Sequence, residues 1–217
     1  MCSCPLCACQ KSTLYSQHET GEYRLCDNCF LVFVLEDKHL DEVSEKARYD
    51  LHVNSPEDEN YRKFLSKVSK PVLDRVSSTA KGLDFGSGPG PTLSLMFEEA
   101  GHVMKIYDHF YAKDEKVLGL KYDFITSTEV VEHLYRPLEV LDKLWSILNE
   151  EGLLCLLTQP YVAQEEFDAW YYKNDPTHVC FFSLKTMQWL CTRWEAELEV
   201  ITKDVFIFNK RSKLKEG

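Results

Sequence analysis

The sequence predicts an α/β fold in which a mostly parallel sheet follows a small cysteine-rich module. Strand-like and helix-like segments alternate from about residue 80 to residue 209. A turn with three glycines follows the first of these strands, and six of the nine cysteines fall within the first 29 residues. The 217 residues, of which 44% are hydrophobic, suffice for one large domain with a small appendage.

Two Cys-x-x-Cys pairs define the module at the start of the chain. Cys4 and Cys7 form one pair, Cys26 and Cys29 form the other, and 18 residues lie between the pairs. At this spacing four thiolates can surround a zinc ion, and a site closed by four protein ligands is structural rather than catalytic. We therefore expect a zinc ribbon over residues 1–38. A redox pair or plain buried thiols is the alternative.

The surroundings of these pairs indicate strands and an acidic surface. Strands are expected over 23–26 and 30–34, and Cys2 and Cys9 are alternative ligands at the first pair. Residues 1–38 contain three basic and five acidic side chains, and the whole chain has a net charge of -10. Because acidic surfaces repel polyanions, we expect the module to pack or to dock a substrate rather than to bind DNA or RNA.

The sequence predicts neither a targeting segment nor a membrane span. It has no run of 18 apolar residues, and its first five residues lack the charged start and apolar middle of a signal peptide. An odd number of cysteines is also unlike a disulfide framework. We therefore expect a cytoplasmic protein with reduced thiols and no membrane partner.

Residues 39–79 are predicted to be helical. This segment is charged and lacks glycine, and apolar residues such as Tyr61, Phe64 and Leu65 recur at a helical spacing. Pro71 is expected to open a second helix, because proline is favoured in the first turn of a helix.

Beyond residue 80 the pattern alternates between the two kinds of element. Helices are expected over 91–100, 136–148 and 184–194, and strands over 103–107, 124–127, 153–157, 198–202 and 205–209. The last two strands are expected to form a hairpin at the edge of the sheet. Only 13 residues separate Asp108 from Tyr122, so the third strand of the sheet is expected to be short or missing.

The turn after the first of these strands is the most informative segment. Its glycines at 86, 88 and 90 permit a tight turn whose bare backbone can approach a ligand closely. Asp108 ends the next strand, where its carboxylate can bind ribose hydroxyls. A dinucleotide fingerprint would need glycine where Pro91 stands, which disfavours a nicotinamide-linked oxidoreductase.

This D-x-G-x-G-x-G turn with a later acid resembles the class I S-adenosylmethionine-dependent methyltransferases, over roughly residues 80–209. The resemblance implies a Rossmann-like sheet with helices on both faces, in a domain of residues 80–217, and S-adenosylmethionine as the cofactor. It also implies that residues 39–79 form a lid or linker over the cofactor, with simple helix packing as the alternative. The residues that it assigns to the cofactor are Asp84, Gly86, Ser87, Gly88, Gly90 and Asp108, with Tyr49 and His52 contributed by the lid.

A group of carboxylates and imidazoles follows the fourth strand. Glu129, Glu132 and His133 would share one face if this segment is helical, and His178 follows the fifth strand. Two carboxylates with one or two imidazoles suit magnesium, manganese, iron or zinc, and a metal with open positions favours a diol substrate. These four residues are the candidate catalytic set.

The E-x-x-E-H pattern with a later histidine resembles two metal-dependent O-methyltransferase families. One acts in ubiquinone biosynthesis, and the other methylates the 3'-terminal 2'-hydroxyl of small RNAs. The resemblance implies that Glu129, Glu132, His133 and His178 bind a divalent metal. Two alternatives stay open: a metal-free pocket wall with His178 as general base, or a structural histidine.

Seven aromatic residues lie between residues 161 and 182, after the fifth strand. Because open α/β sheets bind ligands at this side, we expect them to form a substrate wall in preference to a core.

The function predicted from these patterns is methyl transfer from S-adenosylmethionine to a hydroxyl oxygen of a small metabolite. Methylation of an exposed or terminal RNA nucleotide is one alternative. A non-catalytic zinc-ribbon adaptor that binds the cofactor is the other.

Overall fold

A computed structural model describes residues 3–18, 21–51 and 54–212 of the chain. Its strands are β1 (Ser12–His18), β2 (Gly21–Cys26), β3 (Val32–Val34), β4 (Lys81–Phe85), β5 (Val103–Tyr107), β6 (Tyr122–Thr128), β7 (Leu148–Leu157), β8 (Cys180–Phe181), β9 (Glu197–Val200) and β10 (Val205–Asn209). Its α-helices are α1 (Glu42–Tyr49), α2 (Glu59–Leu73), α3 (Thr92–Glu99), α4 (Pro137–Ile147), α5 (Gln164–Ala169) and α6 (Leu184–Trp194).

Six strands form the main sheet, in the order β5-β4-β6-β7-β10-β9. The first four in this order are parallel, whereas β10 runs antiparallel to both β7 and β9. Parallel strands place their carboxyl ends along one edge, where the loops that leave them can form a ligand site. The predicted Rossmann-like α/β fold and its edge hairpin are confirmed.

Helices cover both faces of the main sheet. Along β7, Leu154 packs in one core cluster with Leu144 of α4, and the adjacent Cys155 packs in another with Phe97 of α3. Successive side chains of a strand point to opposite faces, so a strand that is buried on both sides is apolar throughout. This arrangement explains the continuous apolar run of β7.

The expectation of a short or missing third strand is also confirmed. Within the described chain, the segment between Asp108 and Tyr122 contains the 3-10 helix Val117–Gly119 and no strand beyond β5. A segment of this length has no room for both a crossover helix and a strand. As a result, β5 is the outer strand at this side of the sheet.

The cysteine-rich segment shares its sheet with the rest of the chain. β1, β2 and β3 are antiparallel, and β8 completes this second sheet by pairing with β3. Leu31 and Phe33 lie in the core cluster that includes Leu154. β3 begins two residues later than predicted, because Phe30 has a left-handed φ of 58°. The segment is thus packed into the larger domain.

Two helices occupy most of residues 39–79, in agreement with the prediction, but the role expected for Pro71 was wrong. Pro71 lies inside the last turn of α2 rather than at the start of a second helix. Leu65, Val68 and Val72 are buried on one face of α2, which favours its continuation past the proline. The helix ends two residues later, so the lost backbone hydrogen bond is confined to its end. No helix within the described residues is long and apolar enough to cross a membrane.

Candidate active site

A tight turn joins β4 to α3. Gly86 and Gly88 have left-handed φ angles of 79° and 64°. A Cβ atom at Gly86 would also lie 2.2 Å from Cγ2 of Val130. Only glycine satisfies both the backbone conformation and this close approach.

Asp108 holds the turn to the end of β5. Its Oδ2 accepts a hydrogen bond from the backbone N–H of Gly88 at 2.9 Å. Its Oδ1 accepts from the N–H groups of Phe110 and Tyr111 at 2.9 and 3.0 Å. A carboxylate has about four acceptor positions, so three are used and one is left for a ligand hydroxyl. We call Gly86, Ser87, Gly88 and Asp108 the turn cluster.

A cavity of about 820 Å³ lies beside the turn cluster, and all four of its residues line the wall. Cofactor and small-molecule sites occupy roughly 300–1,000 Å³, so the volume suits a nucleoside with a second ligand. Three of the four candidate catalytic residues, Glu129, His133 and His178, line the same cavity.

The cavity wall is acidic. It includes five carboxylates and no Lys or Arg among the described residues; the carboxylates are Glu42, Glu45, Asp108, Glu129 and Asp175. Arg48 pairs with Asp175 at 3.2 Å but does not line the wall. The local field therefore disfavours ligands that carry several phosphates.

Helix α1 lies against the cavity, as expected if residues 39–79 form a lid. Tyr49 lines the wall, donates a hydrogen bond from its hydroxyl to Oε1 of Glu45 at 2.7 Å, and meets the ring of His133 edge-on at 5.3 Å. None of the residues of α1 is buried, so polar contacts rather than core packing hold it. The other predicted lid residue, His52, lies outside the described residues.

Two residues that were assigned to the cofactor do not line the cavity. Asp84 is buried beneath the turn, where its Oδ1 accepts a hydrogen bond from Oγ1 of Thr126 at 2.9 Å. Burial raises the pKa of the Asp84 carboxyl to about 7. Gly90 also lies outside the wall, and a Cβ there would be 1.9 Å from the backbone oxygen of Asn54. These positions support the turn from below and from the side.

Glu129 does not begin a helix. Its N–H donates to the carbonyl of Leu157 at 2.8 Å and continues the pairing of β6 with β7, and its φ is left-handed at 53°. A 3-10 helix, Val131–His133, follows. The single helical face expected for Glu129, Glu132 and His133 is therefore absent, because strand pairing extends as far as Glu129.

The two carboxylates meet at Tyr172 instead. The Tyr172 hydroxyl makes a very short hydrogen bond with Oε1 of Glu132 and lies 3.2 Å from Oε2 of Glu129. Glu132 is fully buried, and burial raises the pKa of its carboxyl to about 7. Burial and the nearby charge of Glu132 raise the pKa of Glu129 to about 8. Both carboxyls therefore hold a proton more readily than exposed carboxyls do.

The two histidines lie beside these carboxylates, with ring centroids 4.6 Å apart. Nδ1 of His133 lies 3.2 Å from the carbonyl oxygen of Thr177, and Nδ1 of His178 lies 2.7 Å from that of Tyr172. A carbonyl only accepts, so each Nδ1 carries the hydrogen and each neutral ring has its lone pair on Nε2. We call Glu129, Glu132, His133 and His178 the carboxylate–imidazole cluster.

The aromatic residues after β7 are mostly core rather than the expected substrate wall. Phe167 and Phe181 are buried with Tyr15 and Tyr23 of the cysteine-rich segment. Only Tyr171 and Tyr172 of the seven line the cavity. The second sheet needs an apolar cover, and these rings supply it. Tyr172 is the site residue that sequence reasoning missed, because six other aromatic residues share its segment.

The four cysteines of the two pairs converge. The Sγ atoms of Cys4 and Cys29 are 3.5 Å apart, those of Cys7 and Cys26 are 3.4 Å apart, and all four lie within 4.8 Å of one another. Cys9 lies outside this group, with its Sγ near Lys11, and Cys2 lies outside the described residues. Tetrahedral thiolates at ~2.3 Å from zinc are about 3.8 Å apart, so the four side chains fit this ion.

The sequence matches a known family. A family model described as a methyltransferase domain matches residues 57–203. This range includes the turn cluster and the carboxylate–imidazole cluster. The chain belongs to the methyltransferase family. Enzymes of this class use S-adenosylmethionine. The cavity beside the glycine turn of this methyltransferase has a volume that suits such a nucleoside.

Two of the solved structures with a similar fold are described as methyltransferases. An S-adenosylmethionine-dependent methyltransferase from Thermotoga maritima is 15% identical over 79% of this chain and 96% of its own, with a TM-score of 0.48. Magnesium protoporphyrin IX methyltransferase from Synechocystis PCC 6803, with bound SAH, is 14% identical over 77% of this chain and 94% of its own, with a TM-score of 0.49. These likenesses carry no conclusion about the substrate. A comparison with curated proteins found no match.

The carboxylate–imidazole cluster of this methyltransferase also has the donors of a divalent cation site. Ligand atoms of Glu132, His133 and His178 lie within 4.8 Å of one another. Oε2 of Glu132 and Oε1 of Glu129 are buried without a hydrogen-bond partner among the described residues. Buried carboxylate oxygens without donors are costly, and a cation would compensate them. The donor set therefore fits a divalent cation such as magnesium, manganese, iron or zinc.

Proposed function

We propose that this methyltransferase transfers the methyl group of S-adenosylmethionine to a hydroxyl oxygen of a small-molecule acceptor. One observation carries the proposal: the turn cluster lines the same cavity as Glu129, His133 and His178. A cofactor held by the turn and Asp108 would share its compartment with groups that can accept a proton. Two reactants that are bound in one cavity have already lost the translational and rotational entropy that their encounter in solution would require.

The turn cluster would hold the nucleoside through backbone and carboxylate groups. The bare backbone of Gly86 and Gly88 permits close approach of the ligand, and Asp108 retains an acceptor position for a ribose hydroxyl. Asp84 and Gly90, which lie outside the wall, would shape the turn rather than touch the cofactor.

The transfer requires one proton to leave the acceptor. S-adenosylmethionine supplies a sulfonium methyl group: the acceptor oxygen bonds to its carbon as the carbon–sulfur bond breaks, and the electron pair stays on sulfur. Without a bound cation, the hydroxyl proton goes to Nε2 of His178, which becomes an imidazolium; with a cation on His178, the proton goes to the carboxylate of Glu129. His178 suits this role because its Nδ1 is fixed on the Tyr172 carbonyl at 2.7 Å.

Charge favours a small acceptor over RNA. The described wall has five carboxylates and no Lys or Arg, so it offers phosphates no permanent positive charge. The net charge of -10 acts in the same direction. A neutral diol or phenol meets no such repulsion.

A divalent cation would bind at Glu132, His133 and His178, with Glu129 beside it. The cation would lower the pKa of an acceptor hydroxyl. The four cysteines at residues 4, 7, 26 and 29 would hold a separate zinc ion in a zinc ribbon over residues 1–38, with a structural role.

Radiolabelled cofactor tests this function. Purified protein is incubated with methyl-labelled S-adenosylmethionine and with fractionated metabolite and RNA pools. We expect label in the metabolite pool, and its loss in the presence of a chelator of divalent metals. Label in RNA would support the alternative acceptor. Label in neither pool, with retained binding of S-adenosylhomocysteine, would support an adaptor that only binds the cofactor.

A further inference from the structure

Tyr172 contacts three members of the carboxylate–imidazole cluster. Its hydroxyl reaches Oε1 of Glu132 and lies 3.2 Å from Oε2 of Glu129. Its backbone carbonyl lies 2.7 Å from Nδ1 of His178. Its ring also packs on the ring of His178 at 4.1 Å between centroids.

Packing fixes the position of the Tyr172 hydroxyl. The side chain is only 4% exposed, and Trp170 stacks on its ring at 4.9 Å with an interplanar angle of 27°. Thr158 lies behind the hydroxyl, with its Oγ1 at 3.4 Å. A ring held on two sides has one rotamer, so its hydroxyl is a fixed point for the carboxylates.

A phenol has one hydrogen, which limits what it can hold. The Tyr172 hydroxyl can donate its single hydrogen to Oε1 of Glu132. Oε2 of Glu129 then lies 3.2 Å from the same hydroxyl oxygen. Oε1 of Glu132 is thereby occupied, which leaves Oε2 for a different partner, and this atom has no hydrogen bond among the described residues. The ligand atoms of Glu132, His133 and His178 lie within 4.8 Å of one another. The tyrosine therefore orients one carboxylate relative to two imidazoles.

We propose that Tyr172 is a positioning residue that orients Glu132 and His178 for a divalent cation. The inference rests on the proposed function, because it assigns the supporting contacts of the same site. Groups that hold metal ligands by hydrogen bonds commonly change metal affinity about 10–100-fold when they are removed. Tyr172 acts through Glu132 and His178 and does not itself bind the ion.

Titration with Mn²⁺ in the presence of S-adenosylhomocysteine tests this proposal. Wild type is compared with Tyr172→Phe, which keeps the ring and the carbonyl but removes the hydroxyl. Tyr122→Phe is the matched control, because Tyr122 is 2% exposed and its hydroxyl donates to the carbonyl of Val117 at 2.7 Å, away from the cavity wall. Affinities are measured by calorimetry and by the electron paramagnetic resonance signal of free Mn²⁺, with the melting temperature of each variant.

The expected result is Mn²⁺ binding that is about 10–100-fold weaker in Tyr172→Phe and unchanged in Tyr122→Phe. The affinity for S-adenosylhomocysteine should be equal in all three proteins. Equal Mn²⁺ affinity in Tyr172→Phe and wild type would overturn the positioning role. So would wild type that binds S-adenosylhomocysteine but no Mn²⁺, while the methyltransferase proposal would stand. Failure of wild type to bind S-adenosylhomocysteine would instead reject the proposed function.

Discussion

The turn cluster and the carboxylate–imidazole cluster line one cavity but are built in different ways. The turn cluster comes from the ends of two adjacent strands, and backbone N–H groups make its principal contacts with Asp108. The carboxylate–imidazole cluster joins segments about 40 residues apart through side chains, with Tyr172 between them. A site built from backbone groups depends mainly on the local geometry of the chain. Chemistry that depends on distant side chains needs support from the rest of the fold.

Part of that support comes from the cysteine-rich segment. The N–H of Val34 in β3 donates to the carbonyl of Val179 at 3.0 Å, and the N–H of Val179 donates to that of Glu132 at 2.8 Å. These bonds connect the cysteine module to His178 and Glu132. They do not reach the turn cluster. Disturbance of the module should therefore impair methyl transfer more than it impairs cofactor binding.

The largest effect is expected from the removal of a cysteine ligand. Cys26→Ser would leave the proposed zinc ion with three thiolates, and a structural zinc site contributes roughly 10–16 kcal/mol of binding energy to folding. We expect the melting temperature to fall by ~10 °C or more. Methyl transfer should fall with it, while S-adenosylhomocysteine still binds at low temperature.

Cys9→Ser is the matched control for this variant, because Cys9 lies outside the group of four. It should keep the zinc content and melting temperature of wild type. A Cys26→Ser protein with full zinc content would contradict the closed four-thiolate site.

The next effect concerns the carboxylate–imidazole cluster itself. Glu132→Gln and His133→Ala remove proposed metal ligands without touching the turn. We expect methyl transfer to fall by at least about 10–100-fold, because even groups that only support metal ligands change metal affinity by that much. The affinity for S-adenosylhomocysteine, measured by calorimetry, should not change. Equal losses of binding and transfer would mean that the two clusters are not separable.

The pH dependence of stability probes the support beneath the turn. Burial raises the pKa of Asp84 from 3.8 to about 7, so the folded protein holds the neutral carboxyl. A raised pKa stabilises the fold at low pH, and this stabilisation is lost as the pH rises from about 4 to 7. The loss amounts to at most about 4 kcal/mol.

Asp84→Asn should flatten this pH dependence, since the amide oxygen can still accept from Thr126. Denaturant unfolding at several pH values measures the difference between the two proteins. The same slope in both would show that Asp84 is ionised in the folded state.

The smallest effect is expected at Asp108. Asp108→Asn removes a charge that accepts three backbone N–H groups, and hydrogen bonds to charged groups contribute about 1.5–3 kcal/mol. We expect S-adenosylhomocysteine to bind about 10–100-fold more weakly. Asp114→Asn is a matched control, because Asp114 accepts from the N–H of Lys116 at 3.0 Å but lies outside the cavity wall. Equal effects of the two substitutions would deny Asp108 a role in binding.

The sequence was sufficient for the turn cluster because its signal is local. Glycines at 86 and 88, and an acid at the end of the next strand, follow from turn geometry and strand order. The spacing of the four cysteines likewise predicted that their side chains lie together. Alternating elements predicted the main sheet, and the length of one loop predicted its missing strand.

The rest depends on contacts between distant segments. Strand pairing extends to Glu129 and prevents the expected helix, which no local pattern reveals. Tyr172 lies 40 residues from Glu132, among aromatic residues that mostly cover the second sheet. Asp84 belongs to the motif, yet its burial beneath the turn is a property of packing. These features follow from the tertiary structure alone.

A crystal structure with S-adenosylhomocysteine tests most directly whether both clusters serve one transfer. We expect the ribose hydroxyls to contact Asp108 and the sulfur to face the part of the cavity lined by Glu129, His133 and His178. A nucleoside bound elsewhere, or a cavity without density at millimolar ligand, would contradict it.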